Sequence, residues 1–341
     1  MTTLDTASED GYTSLSERAD VTSTTGAPGA LPATGQERLL PSLAGGRVDE
    51  PVPAASVRAR RSLAQIALLL PAGLVFLFLL VLPLFFLVRF SLLPPAPAAP
   101  LEGPLSLASY AELGDSYFIN ILGRTLRIAA LVTVLCLLLG YPLAISLARS
   151  TGIWRTVQVI LVISPLFVSV VVRAYGWLLL LGNRGVVNGA LTALGLQERP
   201  TRFLQTEGAV VAGLAEALLP FMVLALSAQL QRQDPALLEA ARGLGASALG
   251  AFWRVTLPLS LPGALAGSLL VFMVTMGSYA TPALLGGSQV RLMVTEIYTQ
   301  VTSVYNWPLG AALAVVLLGV SLAIVVLAGR VAGAGRVQGA S

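Results

Sequence analysis

Residues 64–89 read AQIALLLPAGLVFLFLLVLPLFFLVR, and between Gln65 and Arg89 no side chain is charged or carries an amide. As an α-helix, about 20 such residues cross the hydrocarbon of a bilayer, where every backbone polar group must be satisfied within the helix itself. Working outward, the same rule finds five more spans, at residues 121–148, 157–181, 207–229, 260–285 and 308–329. The expected fold class is therefore all-α, a polytopic membrane protein of six transmembrane helices.

Composition agrees. The 341 residues are 55% hydrophobic and 11% charged, with a mean hydropathy of +0.81, far too apolar for an ordinary soluble domain. All 21 basic residues are Arg, His is absent, and the single cysteine, Cys136, lies inside an apolar run. Disulfides, His-metal sites and Cys-His catalysis are excluded. Cys136 reads as a small core hydrophobe. The arginines are scattered between hydrophobic segments, a topological pattern that gives no basis for a nucleic-acid partner.

Residues 1–61 are rich in Ser, Thr, Gly, Pro and Glu without apolar periodicity, and we expect a disordered tail. The first apolar stretch, beginning near Ser62, is too long for a cleaved signal. Arg58, Arg60 and Arg61 immediately before it place that end in the cytoplasm, and six spans return residues 331–341 there as a second tail. The membrane domain is then residues 62–330. Outside, residues 93–115 form a Pro- and Ala-rich surface loop around Pro94, Pro95, Pro97 and Pro100. Gly185, Asn188, Gly189 and Pro200, and later Gly286, Gly287 and Ser288, mark turns or short interfacial elements.

Between the fourth and fifth spans, residues 229–261 are longer than a minimal turn and patterned as helix. Asp234 suits an N-cap and Pro235 a first helical position, before the helix formers of LLEAAR at 237–242. Gly243 and Gly245 end that helix. Ser247 caps a second one through Phe252, Trp253 and Arg254, until Pro258 and Pro262 break the path.

Here the residues carry a resemblance. Glu239-Ala240-Ala241, three residues, Gly245, nine residues, Val255, one residue, Leu257-Pro258 resembles the E-A-A-x3-G-x9-I-x-L-P loop of binding-protein-dependent ABC importer permeases, with Val for Ile the one departure. Residues 172–177 (VRAYGW), 181–188, Pro220-Phe221-Met222, 279–287 (YATPALLGG) and 306–312 (NWPLGAA) are similar to the spermidine/putrescine-type inner-membrane permeases. Relatives for ferric ion, sulfate and other small solutes share much of this scaffold. The resemblance implies a MetI-like fold and a coupling helix that docks on an ATPase. It further implies a second homologous permease, two ABC ATPase subunits and a periplasmic or lipid-anchored solute-binding protein. No G-x4-G-K-[ST] phosphate loop is present, so the chain is no enzyme and binds no cofactor. ATP and Mg2+ act through the partner ATPase.

Intramembrane ionisable residues face a bundle interior or an aqueous path. Glu216 lies about nine residues into the fourth span, roughly 13 Å deep, where it either lines the path of a cationic solute or pairs with Arg173 or a partner. Pro220 removes the donor that would satisfy the Glu216 carbonyl. Arg173, near the outer interface, either joins that path or snorkels. Tyr175, Trp177, Tyr279 and Trp307 stack on a cation or anchor the interface, and Asn306 is a path residue or a helix cap. Gly140, Tyr141 and Pro142 are a bend or static packing. An ion-coupled secondary transporter using Glu216 is the rival reading, against which the coupling loop argues.

Overall fold

The computed structural model describes residues 54–96 and 103–337, so most of the expected tail, residues 1–53, lies outside it. The described residues from Ala67 onward form one compact unit. The described residues are all helical or irregular, with no strand. In chain order the α-helices are α1 (Ala54–Ser91), α2 (Ala108–Glu112), α3 (Ser116–Arg149), α4 (Gly152–Ile163), α5 (Val170–Leu181), α6 (Val186–Ala193), α7 (Glu207–Leu230), α8 (Pro235–Gly243), α9 (Ala248–Ala251), α10 (Leu257–Met276), α11 (Met293–Thr302) and α12 (Trp307–Val337). Six segments are long and apolar enough to cross a membrane, the number expected.

The core is built on α7, apolar all round as a helix enclosed by others must be. Its most apolar window is 61% buried, whereas that of α1 is 0% buried. Met222, Val223 and Leu226 of α7 meet Ile128, Val132 and Cys136 of α3 and Val271 of α10, all fully enclosed. Gly263 and Gly267, a small-xxx-small pair, permit the approach of α10. A Cβ on Gly263 would stand 2.5 Å from the Gln229 Cβ, and one on Gly267 2.9 Å from the Met222 sulfur. A second cluster, with Ile121, Met276, Met293, Leu309 and Leu313, ties α11 and α12 to one end of α3.

Four segments differ from expectation. Helix α1 starts at Ala54, not at 62, because Ala54-Ala55-Ser56-Val57-Arg58-Ala59-Arg60-Arg61 is proline-free and mostly of good helix formers. The third span, expected to be continuous over 157–181, is broken: a 3-10 turn at Ser164–Phe167 follows α4, and α5 restarts after Ser169. Pro165 causes it, with no N–H to donate and a ring that crowds the preceding turn. The membrane-crossing segment is accordingly Val170–Ala193. Conversely, Pro258 and Pro262 do not break the path. A π turn over Phe252–Thr256 joins α9 to α10, and the Leu257 N–H reaches back to the Phe252 carbonyl. The wider turn accommodates the proline, so the fifth crossing runs Ala248–Met276 rather than 260–285. Finally, α12 continues to Val337, through most of the expected tail at 331–341.

The loop expected at residues 93–115 is pinned at its roots. Leu93 and Ser109 are buried, the Ser109 hydroxyl donates to the Leu93 carbonyl at 3.0 Å, and the Ser91 and Tyr110 hydroxyls lie 2.8 Å apart. Asn188 does the same for the following loop, donating to the carbonyls of Gly182 and Thr201 and accepting from the Thr201 N–H. Helix α3 is unbroken through Pro142. A Cβ on Gly140 would meet the Met222 Cγ at 3.0 Å, and the Tyr141 hydroxyl hydrogen-bonds Ser260, so this segment is packing.

Candidate coupling face and membrane path

The stretch after α7 forms as its residues dictate. The Asp234 carboxylate accepts from the Ala236 N–H at 2.9 Å, and Pro235 takes the first position of α8. At the other end Gly245 adopts φ +85°. Its N–H bonds to the Arg242 carbonyl while that of Ala246 bonds to Ala241, the paired bonds of a Schellman terminus. The Ser247 hydroxyl then accepts from the Gly250 N–H at 3.1 Å to start α9. The result is the helix, glycine turn and helix read from sequence.

None of the residues of α8 is buried. Glu239, Ala240 and Gly245 are exposed, as are Leu244, Leu249 and Trp253, at 90%, 67% and 58%. Behind α8, Leu237, Leu238 and Val255 line a cavity of about 300 Å³ shared with Arg149 of α3. Leu257 packs on the core cluster, and Pro258 sits in the first turn of α10. Val255, Leu257 and Pro258 thus root the exposed turn in the membrane bundle.

Within the membrane, Glu216 of α7 and Arg173 of α5 come together, Nε to Oε2 3.3 Å. Arg173 also donates through Nη1 to the Pro165 carbonyl at 2.9 Å, at the break between α4 and α5. Its side chain is 12% exposed, so it is enclosed and paired rather than snorkelling. Glu216 Oε2 is buried without a hydrogen-bond partner. The residue lines a cavity of about 220 Å³ whose other walls, among them Leu143, Leu161, Pro165 and Pro220, are apolar.

The other sequence candidates do not join that pair through any hydrogen bond or ion pair among the described residues. Tyr175 and Trp307 are exposed, and Trp177 packs on the core. Asn306 is buried and caps α12, its Oδ1 accepting from the Leu309 N–H at 3.2 Å. Tyr279 stacks on Tyr298, centroids 4.4 Å apart, beside a cavity that Arg291 also lines.

A second charged centre escaped the sequence reading. Glu296 of α11, only 2% exposed, accepts from the Tyr117 hydroxyl at 3.0 Å, from Arg291 at 3.3 Å and from the Gln300 amide at 2.9 Å. Arg291 also donates to the Tyr117 oxygen at 2.9 Å, a bond that raises the guanidinium above its ordinary range. Glu296 and Gln300 fall four residues apart, on one face of α11, the signal that could have found them. Replacing Glu296 by Ala leaves three polar partners unmatched in a tight site, and we expect a loss of roughly 2–3 kcal/mol. Thermal unfolding of the assembled complex checks this, with Glu296→Gln expected to lose less.

The sequence pattern of the family described as binding-protein-dependent transport system inner membrane component matches residues 58–333. The chain belongs to that family. As a binding-protein-dependent permease it is a multi-pass inner-membrane transport component. It is similar to the spermidine/putrescine transport system permease protein PotB of Escherichia coli strain K12, 36% identical over 236 residues that cover 69% of this chain and 86% of PotB. The Haemophilus influenzae PotB is 37% identical over 212 residues, 62% of this chain and 74% of that one. In structure the permease resembles a chain of a bacterial alginate ABC transporter crystallised with an alginate-bound periplasmic protein. The TM-score is 0.67 at 21% identity, covering 80% of this chain and 94% of that one. That likeness shows the MetI-like fold.

Proposed function

We propose that the chain is the permease subunit of an ABC importer that carries polyamines, spermidine or putrescine, across the inner membrane. The observation that carries the solute class is the 36% identity to a spermidine/putrescine permease along 86% of its length. A carboxylate on apolar walls at mid-span, Glu216, suits an ammonium on a methylene chain, since such a group needs one charged acceptor and otherwise apolar contact.

In this reading the turn from Pro235 to Pro258 docks on a partner ATPase, which binds ATP and Mg2+. A second, homologous permease completes the path, two ATPase subunits drive it and a periplasmic or lipid-anchored binding protein delivers the solute. Arg58, Arg60 and Arg61 before the first span, with six spans, support a cytoplasmic side for both ends of the membrane domain. Closure of the ATPases then moves the root at Val255, Leu257 and Pro258, and through α10 the core helices, between outward and inward openings.

The test is ATP-dependent uptake of labelled putrescine and spermidine by proteoliposomes holding the whole complex and its binding protein. Uptake is expected. Its absence, with the binding protein still stimulating ATP hydrolysis, would overturn the polyamine assignment and favour another solute. The molybdenum permease ModB of Mycobacterium bovis, 34% identical over 52% of this chain, motivates that second reading.

A further inference from the structure

The Arg173–Glu216 pair is badly made for a permanent ion pair. A guanidinium binds a carboxylate best through two parallel N–H bonds, yet here one Nε–Oε2 approach at 3.3 Å leaves Oε2 without a hydrogen bond. The well-formed bond of Arg173 goes instead to the Pro165 carbonyl, 2.9 Å away. That carbonyl belongs to the one interruption between α4 and α5, where Pro165 has already cost the helix a backbone bond. Arg173 therefore links two things: the carboxylate in the cavity and the joint beside it.

We propose that Arg173 is an internal competitor for the solute's ammonium group at Glu216. With the path empty the guanidinium neutralises the carboxylate. An arriving primary ammonium, compact and with three rotatable donors, takes Oε2 and is met by the Glu216 carbonyl that Pro220 leaves without its helical donor. The displaced guanidinium no longer holds the Pro165 carbonyl in place, so solute arrival frees the α4–α5 joint. Arg173 is thus a positioning residue that couples occupancy to helix movement, an inference that rests on the reading of Glu216 as lining the path of a cationic solute.

The test is direct binding of labelled putrescine to the complete, binding-protein-free complex in phosphatidylglycerol nanodiscs, which contain no lipid amine. If the pair is closed about 90% of the time, Arg173→Gln tightens binding about ten-fold, because only the open fraction is competent. Adding Glu216→Gln to that variant abolishes the gain. Arg173→Lys keeps a charge and so guards against misassembly; its single ammonium cannot reach both Glu216 and the Pro165 carbonyl, and its affinity falls between wild type and Arg173→Gln. Unchanged or weaker binding in both Arg173 variants, with Glu216→Gln still defective in uptake, overturns the competitor role alone. Normal uptake by Glu216→Gln overturns the underlying path reading.

Discussion

Gly245→Val is expected to abolish coupled transport while leaving the subunit folded. Gly245 has φ +85°, a left-handed conformation that costs an L-residue about 1–2 kcal/mol, and Val, β-branched, is among the worst suited. The Schellman bonds of Gly245 and Ala246 depend on that conformation, so the exposed face of α8 and α9 is re-aimed. Among the described residues, its two chain neighbours aside, no atom stands within 4 Å of where a Cβ on Gly245 would lie. Any further loss from added bulk must therefore come from a partner approaching the glycine. Gly245→Asn separates the two effects, because Asn tolerates the left-handed region but fills the space. Loss of transport in both variants, with ATP hydrolysis no longer stimulated by loaded binding protein, identifies close docking. Recovery in Gly245→Asn alone makes the backbone geometry sufficient. Undiminished coupled uptake by Gly245→Val contradicts the coupling role.

The coupling turn was readable in sequence because every feature of it is local. Asp234 and Ser247 cap helices two or three residues away, and a glycine between them has one obvious use. Membrane spans were readable for a similar reason, since the bilayer imposes a length and a composition. Proline was harder. Pro142, Pro220 and Pro262 sit inside continuous helices, whereas Pro165 stands at a break that Arg173 bridges from eight residues away. Local sequence does not separate the proline that a helix absorbs from the one that ends it. The Glu296 network was out of reach for a different reason: its bond to Tyr117 joins residues 179 positions apart, and only the packing of α11 against α3 brings them together. Glu216 and Arg173 could be named singly, and their pairing foreseen, but not the placement of Arg173 on the Pro165 carbonyl.

Glu216→Gln is expected to lower polyamine uptake at least about ten-fold. A hydrogen bond to a charged group contributes roughly 1.5–3 kcal/mol, and each 1.4 kcal/mol is about a factor of ten in affinity. Gln matches Glu in shape, so the 220 Å³ cavity and its apolar walls are retained and assembly should be normal by size-exclusion chromatography. A purely structural role for Glu216, neutralising Arg173, makes a different forecast. Removing both charges together in Arg173→Gln/Glu216→Gln would then relieve the unpaired guanidinium and restore uptake. A path carboxylate predicts the opposite: the double variant stays as defective as the single one, because the solute has lost the only acidic side chain lining that cavity. Uptake measured in the four proteins, wild type, the two singles and the double, decides between them.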